Sequence, residues 1–191
     1  MVTAMDQGAD DLDIVRRIAS GERMAMRVLY GRHHLKVFRF VSGMLRDRTQ
    51  VEDVVNDTFF EVWVQAARFE HRSSVSTWLL GIARYKALSV ARRRRDDELD
   101  EEMAEAVPDA ADTPEISTQK QDKGAALRKC VAALPPEHRT VVDLVYYHDK
   151  SVEEVAMILE IPEATVKTRM FYARKKLADM MAAAGIDRGW P

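Results

Sequence analysis

Two stretches of helical periodicity, joined by a very short turn, constrain the fold of this chain more than any other feature. The first stretch repeats apolar residues at the spacing of one helix face, namely Val152, Val155, Ala156 and Leu159. The second stretch does the same with Val166, Met170, Ala173 and Leu177. Pro162 separates them, because it lacks a backbone N–H and biases Ile161 away from helical geometry. Both helices must bury a face, so the sequence predicts a helix-turn-helix.

The first turn and the outer surface of this motif are also informative. Ser151 is a favourable N-cap, and Glu153 and Glu154 place negative charge where the helix dipole favours it. The second helix carries one acid, Glu163, and five bases, namely Lys167, Arg169, Arg174, Lys175 and Lys176. A cationic helix supported by a scaffold helix suits the major groove of DNA. The motif therefore predicts DNA binding, although such a basic face also occurs as a merely solvated surface.

Composition and charge favour an all-α protein of two small helical domains. Only 8 Gly and 6 Pro occur in 191 residues, of which 47% are hydrophobic. The net charge of −2 conceals a segregation, because residues 84–95 hold six bases and no acids whereas residues 96–115 hold ten acids and no bases. The acidic run has few large apolar residues and is predicted to be a flexible linker. We expect an N-terminal domain over residues 10–95, an acidic linker over residues 96–122 and a C-terminal domain over residues 123–184.

Each domain is predicted to contain four helices. Those of the N-terminal domain are expected near residues 11–20, 22–45 and 50–68, and from about Ser76, capped by Ser74 or Ser76, through Arg92. In the C-terminal domain a helix ended by Pro135 and Pro136 is followed by one near residues 137–147 and then by the helix-turn-helix.

Several functions are disfavoured by the residues present. Cys130 is the single cysteine, which excludes an intramolecular disulfide and a Cys-rich zinc site and is most simply explained as a small core residue. His33 and His34 are adjacent and cannot share one helix face as metal ligands, and the other histidines lie in separate segments. We therefore expect no enzymatic activity, no metal and no cofactor. Neither a signal peptide nor a run of about 18 apolar residues is visible, so we expect a cytoplasmic chain without membrane insertion.

The helix predicted around residues 51–64 has two distinct faces. One is apolar and is expected to lie in the core, with Val51, Val54, Val55, Thr58, Phe59 and Val62. The other combines acids with apolar groups, with Asp53, Asn56, Asp57, Phe60 and Val64, and with Glu61 beside them. Carboxylates around an exposed aromatic indicate a protein partner with a basic, partly apolar surface. The alternative is that Phe60 packs beneath the second helix.

A polar loop leads from this helix into an aromatic and basic one. The loop side chains that can bond to bases or phosphates are His71, Arg72, Ser73 and Ser74. Trp78 and Tyr85 offer stacking surfaces, and positive charge for a DNA backbone comes from Arg84, Lys86 and residues 92–95. Together these groups suit the binding of unstacked, single-stranded bases. Taken separately, Trp78 is as well explained as a core residue, and the arginine run as a solvated helix end.

The order of these features resembles the bacterial RNA polymerase sigma factors, specifically the small two-domain extracytoplasmic-function (ECF) group. The resemblance covers nearly the whole chain beyond its first ten residues. It is carried by VEDVVNDTFFEVW (51–63), FEHRSSVSTWLLGIARYKALSVARRRR (69–95), ALPPEHRTVVDLVYYHDKSVEEVA (133–156) and IPEATVKTRMFYARKKL (161–177). It implies a protein that binds core RNA polymerase and directs promoter-specific transcription initiation.

The resemblance also implies roles for particular residues. Docking on the clamp helices of the polymerase's largest subunit would involve Asp53, Asn56, Asp57, Phe60 and Glu61. Capture of a flipped-out base of the promoter −10 element, and contact along its upstream edge, would involve His71, Arg72, Ser73, Ser74, Trp78, Arg84 and Arg92. The linker would thread through the polymerase towards the RNA exit path. Members of this group are usually held inactive by an anti-sigma factor, so such a partner is expected here.

The second helix of the helix-turn-helix would read the −35 element in the major groove. The resemblance places Lys167, Thr168, Phe171 and Tyr172 towards the bases, and the same interface would include Thr165, Arg169, Arg174 and Lys175, with the last three near phosphates. Many relatives carry Arg where this chain has Tyr172. Tyrosine cannot make the bidentate contact to guanine that arginine makes, so the resemblance does not extend to the base preference at that position.

Two other interpretations make different predictions. A helix-turn-helix regulator that is not a polymerase subunit would explain residues 151–177 but would leave the pattern of residues 51–95 unused. Such a regulator should bind duplex DNA unaided. A helical adaptor that binds only proteins should support no promoter-dependent transcription.

Overall fold

The described part of the chain is built from eight helices in two bodies. The computed structural model describes the backbone of residues 10–100 and 119–183, and the side chains of residues 10–94 and 126–183. Within these ranges the chain contains helices and no β-strand, which confirms the predicted all-α class. The central part of the predicted linker, residues 101–118, and the last residues, 184–191, lie outside the described residues.

The N-terminal body contains four helices and a short 3₁₀ turn. These are α1 (Asp11–Ala19), α2 (Arg23–Ser42), α3 (Arg48–Gln65), the 3₁₀ turn (Ala66–Arg68) and α4 (Val75–Asp100). Helices α2, α3 and α4 pack on one another, and α1 packs across α2 and the 3₁₀ turn. Their largest fully buried side chains include Ile14, Ile18, Leu29, Phe40, Val54 and Leu79. These side chains form the N-terminal part of a buried apolar cluster that also includes residues of the C-terminal body.

Local capping signals set the helix ends of this body. The Asp47 carboxylate accepts a hydrogen bond from the Thr49 N–H at 2.9 Å, so α3 begins slightly before the predicted start. The Ser74 hydroxyl accepts a hydrogen bond from the Thr77 N–H at 3.3 Å. Of the two predicted caps, Ser74 and Ser76, Ser74 is therefore the N-cap of α4. Helix α4 continues to Asp100, past the predicted domain boundary at residue 95.

The C-terminal body contains the other four helices. These are α5 (Gln119–Ala132), α6 (Pro136–Tyr146), α7 (Val152–Leu159) and α8 (Glu163–Ala183). Helix α8 packs against α5, α6 and α7. Its predicted face of Val166, Met170, Ala173 and Leu177 is buried. The free Cys130 thiol is also buried, consistent with its predicted place in the core.

The helix-turn-helix is formed by α7 and α8. Ser151 caps α7 in a reciprocal capping box, because its hydroxyl accepts from the Glu154 N–H at 3.1 Å while the Glu154 carboxylate accepts from the Ser151 N–H at 3.1 Å. Glu160 ends α7 in a left-handed conformation with φ of 51°, which turns the chain before Pro162. The turn thus sets the direction in which α8 leaves α7.

Removing the cap hydroxyl should measurably destabilise the C-terminal body. We expect Ser151→Ala to lower its free energy of unfolding by about 1 kcal/mol, because an N–H at the start of α7 loses its acceptor. Urea denaturation followed by circular dichroism measures this loss. Ser42→Ala is the matched control, since the Ser42 hydroxyl bonds only back to the Phe38 carbonyl within α2, at 2.8 Å. Equal stabilities of the two variants would contradict the capping assignment.

Candidate nucleic-acid and protein interfaces

Helix α3 presents the acidic and aromatic surface that the sequence predicts. The six residues of the predicted core face are buried: Val51, Val54, Val55, Thr58, Phe59 and Val62. Asp53, Asn56 and Asp57 are exposed on the opposite side. Phe60 is 66% exposed and Val64 is 58% exposed. The alternative that Phe60 packs beneath α2 is therefore wrong.

Glu61, at the edge of this surface, differs from the two exposed aspartates. It is half-buried, and Lys86 of α4 donates a hydrogen bond to its carboxylate at 3.0 Å. That bond, followed by one from Gln65, lowers the pKa of Glu61. Its charge is thus partly compensated within the N-terminal body, whereas Asp53 and Asp57 present theirs directly to solvent.

The polar loop projects between the 3₁₀ turn and α4. His71 adopts a left-handed conformation with φ of 58°, and both His71 and Arg72 are exposed. The Arg72 guanidinium lies 2.6 Å from the Glu70 carboxylate, in an ion pair whose two side chains are both exposed. Ser73 is half-buried. The loop therefore offers charged and polar groups to a ligand in solvent.

An aromatic stack supports the base of this loop. The Phe69 and Trp78 rings lie 4.5 Å apart with an interplanar angle of 24°. Trp78 is half-buried, so it is neither a fully enclosed core residue nor a free platform. A cleft opens between the loop and the start of α1, lined by Asp10, Leu12, His71, Ser73 and Ser74 among others.

The basic stretch of α4 divides between two environments. Arg92 is exposed, and Tyr85 is 74% exposed. Arg84 is half-buried instead, and its guanidinium lies 3.7 Å from the Glu160 carboxylate in the turn of the helix-turn-helix. The structure thus places Arg92 at a free surface of the helix and Arg84 at the contact between the two bodies.

Helix α8 presents a basic and aromatic face away from its core. Six of the predicted −35 residues are exposed, namely Lys167, Thr168, Phe171, Tyr172, Arg174 and Lys175. The other two, Thr165 and Arg169, are half-buried. The Phe171 and Tyr172 rings lie 5.4 Å apart in an edge-to-face arrangement, and the two residues are 62% and 52% exposed. Such a face can combine phosphate contacts with apolar contacts to thymine methyl groups.

A polar cluster between the two bodies was not predicted from the sequence. The Lys150 ammonium, in the turn before α7, donates hydrogen bonds across the boundary to the Ser76 hydroxyl at 2.6 Å and to the Thr77 hydroxyl at 3.0 Å. It also lies 3.1 Å from the Glu154 carboxylate. Lys150 is only 8% exposed. A nearly buried lysine therefore joins the start of α4 to the helix-turn-helix.

Glu154 takes part in the same cluster. Besides closing the capping box, its carboxylate accepts hydrogen bonds from the Thr77 hydroxyl at 2.5 Å and from the Ser74 hydroxyl at 2.8 Å. Burial acts to raise the pKa of Glu154, but the hydrogen bonds from Thr77, Ser151, Ser74 and Lys150 outweigh it and lower the pKa to about 2. The carboxylate is therefore ionised at neutral pH.

Contacts between α2 and the turn after α6 extend this boundary. The Arg39 guanidinium lies 3.3 Å from the centre of the Tyr147 ring, a cation–π geometry. Its Nε is 3.8 Å from the Asp143 carboxylate. The Phe40 and His148 rings meet edge to face at 5.8 Å. The two bodies thus contact each other through both polar and aromatic groups.

In the described part of the chain, no group of three or more His, Cys, Asp or Glu side chains is arranged to hold a metal ion. None of the helices described within residues 10–100 and 119–183 is both long and apolar enough to cross a membrane.

Known protein families match both bodies of the chain. The family Sigma-70 region 2 matches residues 29–96, and the family Sigma-70, region 4 matches residues 124–177. The chain is 30% identical over 175 residues to the ECF RNA polymerase sigma factor SigL of Mycobacterium tuberculosis, covering 89% of this chain and 96% of that protein. It is 27% identical over 173 residues to the ECF RNA polymerase sigma factor SigW of Bacillus subtilis, covering 85% and 92%.

Solved structures share the fold. The sigma factor RpoE, in complex with the anti-sigma factor NepR from Bartonella quintana, matches with a TM-score of 0.64 and 24% identity, over 85% of this chain and 98% of that one. CnrH, in complex with the cytosolic domain of CnrY, also matches with a TM-score of 0.64 and 24% identity, over 91% and 97%.

These matches and the two-body helical fold define the class: the chain belongs to the sigma-70 family, whose members direct promoter-specific transcription. Within that family it is an extracytoplasmic-function sigma factor. The resemblance seen in the sequence is thereby confirmed, and the interpretation as a regulator outside the polymerase is not favoured. Sigma factors are non-enzymatic initiation factors that bind RNA polymerase and promoter DNA and act in the cytoplasm.

Proposed function

We propose that the outer face of α3 docks on the clamp helices of the polymerase's largest subunit. Asp53 and Asp57 would meet basic groups of the polymerase, and Phe60 would enter an apolar site between them. Asn56 lies on the same exposed face, and Glu61 lies at its edge. The exposure of Phe60 among carboxylates supports this proposal, because a purely solvated helix face has no need of an aromatic ring.

The polar loop and α4 would bind the −10 element as the duplex opens. We propose that the cleft beside His71, Ser73 and Ser74 receives one extruded base, with Arg72 on the adjacent backbone. Unstacking a base costs a few kcal/mol, which contacts in such a cleft would offset. Trp78, supported by Phe69, would lie at the edge of the melted segment, and Arg84 and Arg92 would follow its upstream backbone once the bodies separate.

Helix α8 would read the −35 element as a duplex. Lys167, Thr168, Phe171 and Tyr172 are proposed to face the bases, with Thr165 at the start of the helix. Arg169, Arg174 and Lys175 would neutralise phosphates, so binding should weaken as salt rises.

The two DNA contacts would act together only on the polymerase. Each body has a small DNA surface, and tethering converts the second binding event into an intramolecular one. The polymerase would fix the distance between the bodies, with residues 96–122 as the connection. We also propose that this chain performs no enzymatic step itself, that it works in the cytoplasm, and that an anti-sigma factor covers its polymerase-binding surfaces when it is inactive.

One observation carries this proposal: two exposed surfaces of opposite character lie on different bodies, an acidic and aromatic one on α3 and a basic and aromatic one on α8. Run-off transcription with core RNA polymerase over a promoter library tests it. We expect transcripts from defined start points, with two separated sequence elements enriched upstream. A chain that binds duplex DNA unaided but starts no transcript with core polymerase would overturn the proposal.

A loop variant should separate promoter opening from polymerase binding. We expect Arg72→Ala to reduce open-complex formation by roughly tenfold, since a hydrogen bond to a charged phosphate is worth about 1.5–3 kcal/mol, while core-polymerase affinity stays within about twofold. Permanganate footprinting measures opening, and fluorescence anisotropy measures polymerase binding. Arg48→Ala is the control, because Arg48 is equally exposed but pairs with Glu52 at the start of α3. Equal loss of both activities in Arg72→Ala would contradict the loop assignment.

A further inference from the structure

The polar cluster at the boundary joins the two bodies through side-chain hydrogen bonds. Lys150 and Glu154 belong to the C-terminal body, yet most of their side-chain hydrogen bonds reach Ser74, Ser76 and Thr77 of the N-terminal body. Lys150 and Thr77 are 8% and 3% exposed, so the centre of the contact is shielded from water. Shielded charged hydrogen bonds are stronger than those in open solvent.

The electrostatics of the cluster depend on both charged residues. The start of α4 carries the positive end of the helix dipole, which attracts the Glu154 carboxylate and repels the Lys150 ammonium. Lys150 is tolerated there because Glu154 lies 3.1 Å away and the Ser76 and Thr77 hydroxyls accept its hydrogen bonds. Removing the Glu154 charge would leave the nearly buried Lys150 ammonium without its counter-charge, which is strongly unfavourable. Removing the Lys150 charge would cost less, because about a quarter of the Glu154 side chain is exposed to solvent.

The surrounding ion pairs are weaker. The Arg84–Glu160 and Arg39–Asp143 separations are 3.7 and 3.8 Å, and one partner of each pair is largely exposed to solvent. Solvent-exposed pairs at such distances contribute little to stability. The Lys150–Glu154 cluster is therefore the most shielded of the ion pairs at this boundary.

We propose that Lys150 and Glu154 form an interdomain lock, which holds the C-terminal body on the start of α4 in the free chain and must open before the two bodies can bind separate promoter elements. Its regulatory consequence rests on the proposed function. The Ser74 hydroxyl belongs both to the lock and to the proposed −10 loop, so the two uses compete. The α3 surface with Asp53, Asp57 and Phe60 stays exposed in the closed form, which leaves first contact with the polymerase available.

The lock can be opened by near-isosteric changes on either body. Lys150→Met removes the ammonium and keeps the stem. Glu154→Gln removes the charge and keeps an oxygen for the capping box of α7. Thr77→Val removes the hydroxyl from the N-terminal body without touching α7. Small-angle X-ray scattering of the full chain measures closure, since a compact chain of this length has a radius of gyration of about 16 Å.

We expect each of the three variants to raise the radius of gyration by several Å over that of the wild-type chain. The double variant Lys150→Met with Glu154→Gln should recover part of the closure, because it leaves neither charge uncompensated. Arg48→Met and Glu52→Gln are matched controls, since they break an exposed i,i+4 pair of the same charges and should leave the scattering unchanged. Circular dichroism checks that the helices of each variant remain folded.

The lock should also affect recruitment by the polymerase. The closed form can make first contact through α3, but the polymerase can hold both bodies apart only after the lock opens. The two single-charge variants should therefore bind core polymerase several-fold more tightly than the wild-type chain. Wild-type scattering from folded Lys150→Met, Glu154→Gln and Thr77→Val chains would overturn the lock, as would a double variant whose expansion is no smaller than that of either single-charge variant. Neither scattering result depends on polymerase or DNA. Scattering therefore tests the lock, and run-off transcription separately tests the proposed function.

Discussion

The double charge reversal Asp53→Arg with Asp57→Arg is expected to abolish stable association with core RNA polymerase. Both carboxylates are exposed on the outer face of α3, one turn apart and on the same side as Phe60. A basic partner surface that attracts them would repel two arginines, and like charges brought together at an interface cost several kcal/mol. We expect the dissociation constant to rise at least about 100-fold, since each 1.4 kcal/mol is tenfold.

Fluorescence anisotropy with labelled chain and core polymerase measures this change. The control is Asp13→Arg with Glu137→Arg, which changes the net charge equally but at exposed sites on α1 and α6. Circular dichroism should show wild-type helix content for both double variants, because none of the four side chains is buried. The control should lose about 0.3–1 kcal/mol of stability per site, since Asp13 and Glu137 lie in the first turns of α1 and α6, where the helix dipole favours negative charge. Unaltered polymerase affinity in the α3 variant, or equal loss in the control, would refute docking through this face.

Periodicity alone predicted the faces of the helices that matter most. In α3 the buried and exposed positions are those expected at 100° per residue, and Phe60 is exposed as the preferred interpretation required. The same holds for α8, where Val166 and Met170 are buried while Phe171 and Tyr172 are exposed. Such faces are predictable because burial of an apolar stripe is decided within one helix and repeats along it.

Contacts between the bodies could not be predicted in the same way. Lys150 bonds to Ser76 and Thr77, which lie 74 and 73 positions earlier in the chain. In the sequence, the helix dipole alone accounts for Glu154, so nothing signals its bonds to the other body. Arg84 was expected on DNA but faces Glu160 in this structure. Pairings of this kind depend on how the two bodies pack against each other, which no local pattern encodes.

The contacts that define a DNA sequence preference also cannot be predicted from helical periodicity. Spacing places Tyr172 on the exposed side of α8, but the base that it meets depends on the docked position of the helix in the groove. The exposed ring beside Phe171 does indicate apolar rather than bidentate readout, since a phenol has one hydrogen-bond donor whereas a guanidinium presents a fork. This difference gives a specificity prediction that can be tested by substitution.

Tyr172→Arg is expected to create a preference for guanine at one position of the −35 element. Tyr172 is 52% exposed on α8, one turn before the exposed Lys175, so a longer side chain can extend without displacing the core. A bidentate arginine–guanine contact discriminates by about 1–3 kcal/mol, or roughly 5- to 150-fold between guanine and the other bases. Run-off transcription over a library randomised in the upstream element, followed by sequencing of templates and transcripts, measures the change.

Tyr172→Phe removes the phenol hydroxyl and keeps the ring, so it distinguishes the contribution of the hydroxyl from that of the ring. If the wild-type ring acts through apolar contact, Tyr172→Phe should retain the wild-type base preference to within about threefold, while Tyr172→Arg shifts it at a single position. Both variants should bind core polymerase as the wild type does, because Tyr172 lies on α8 and the proposed docking face lies on α3 of the other body. A library profile that is unchanged in Tyr172→Arg would show that this residue does not face a base, and a profile altered at both promoter elements would place its effect outside the −35 contact.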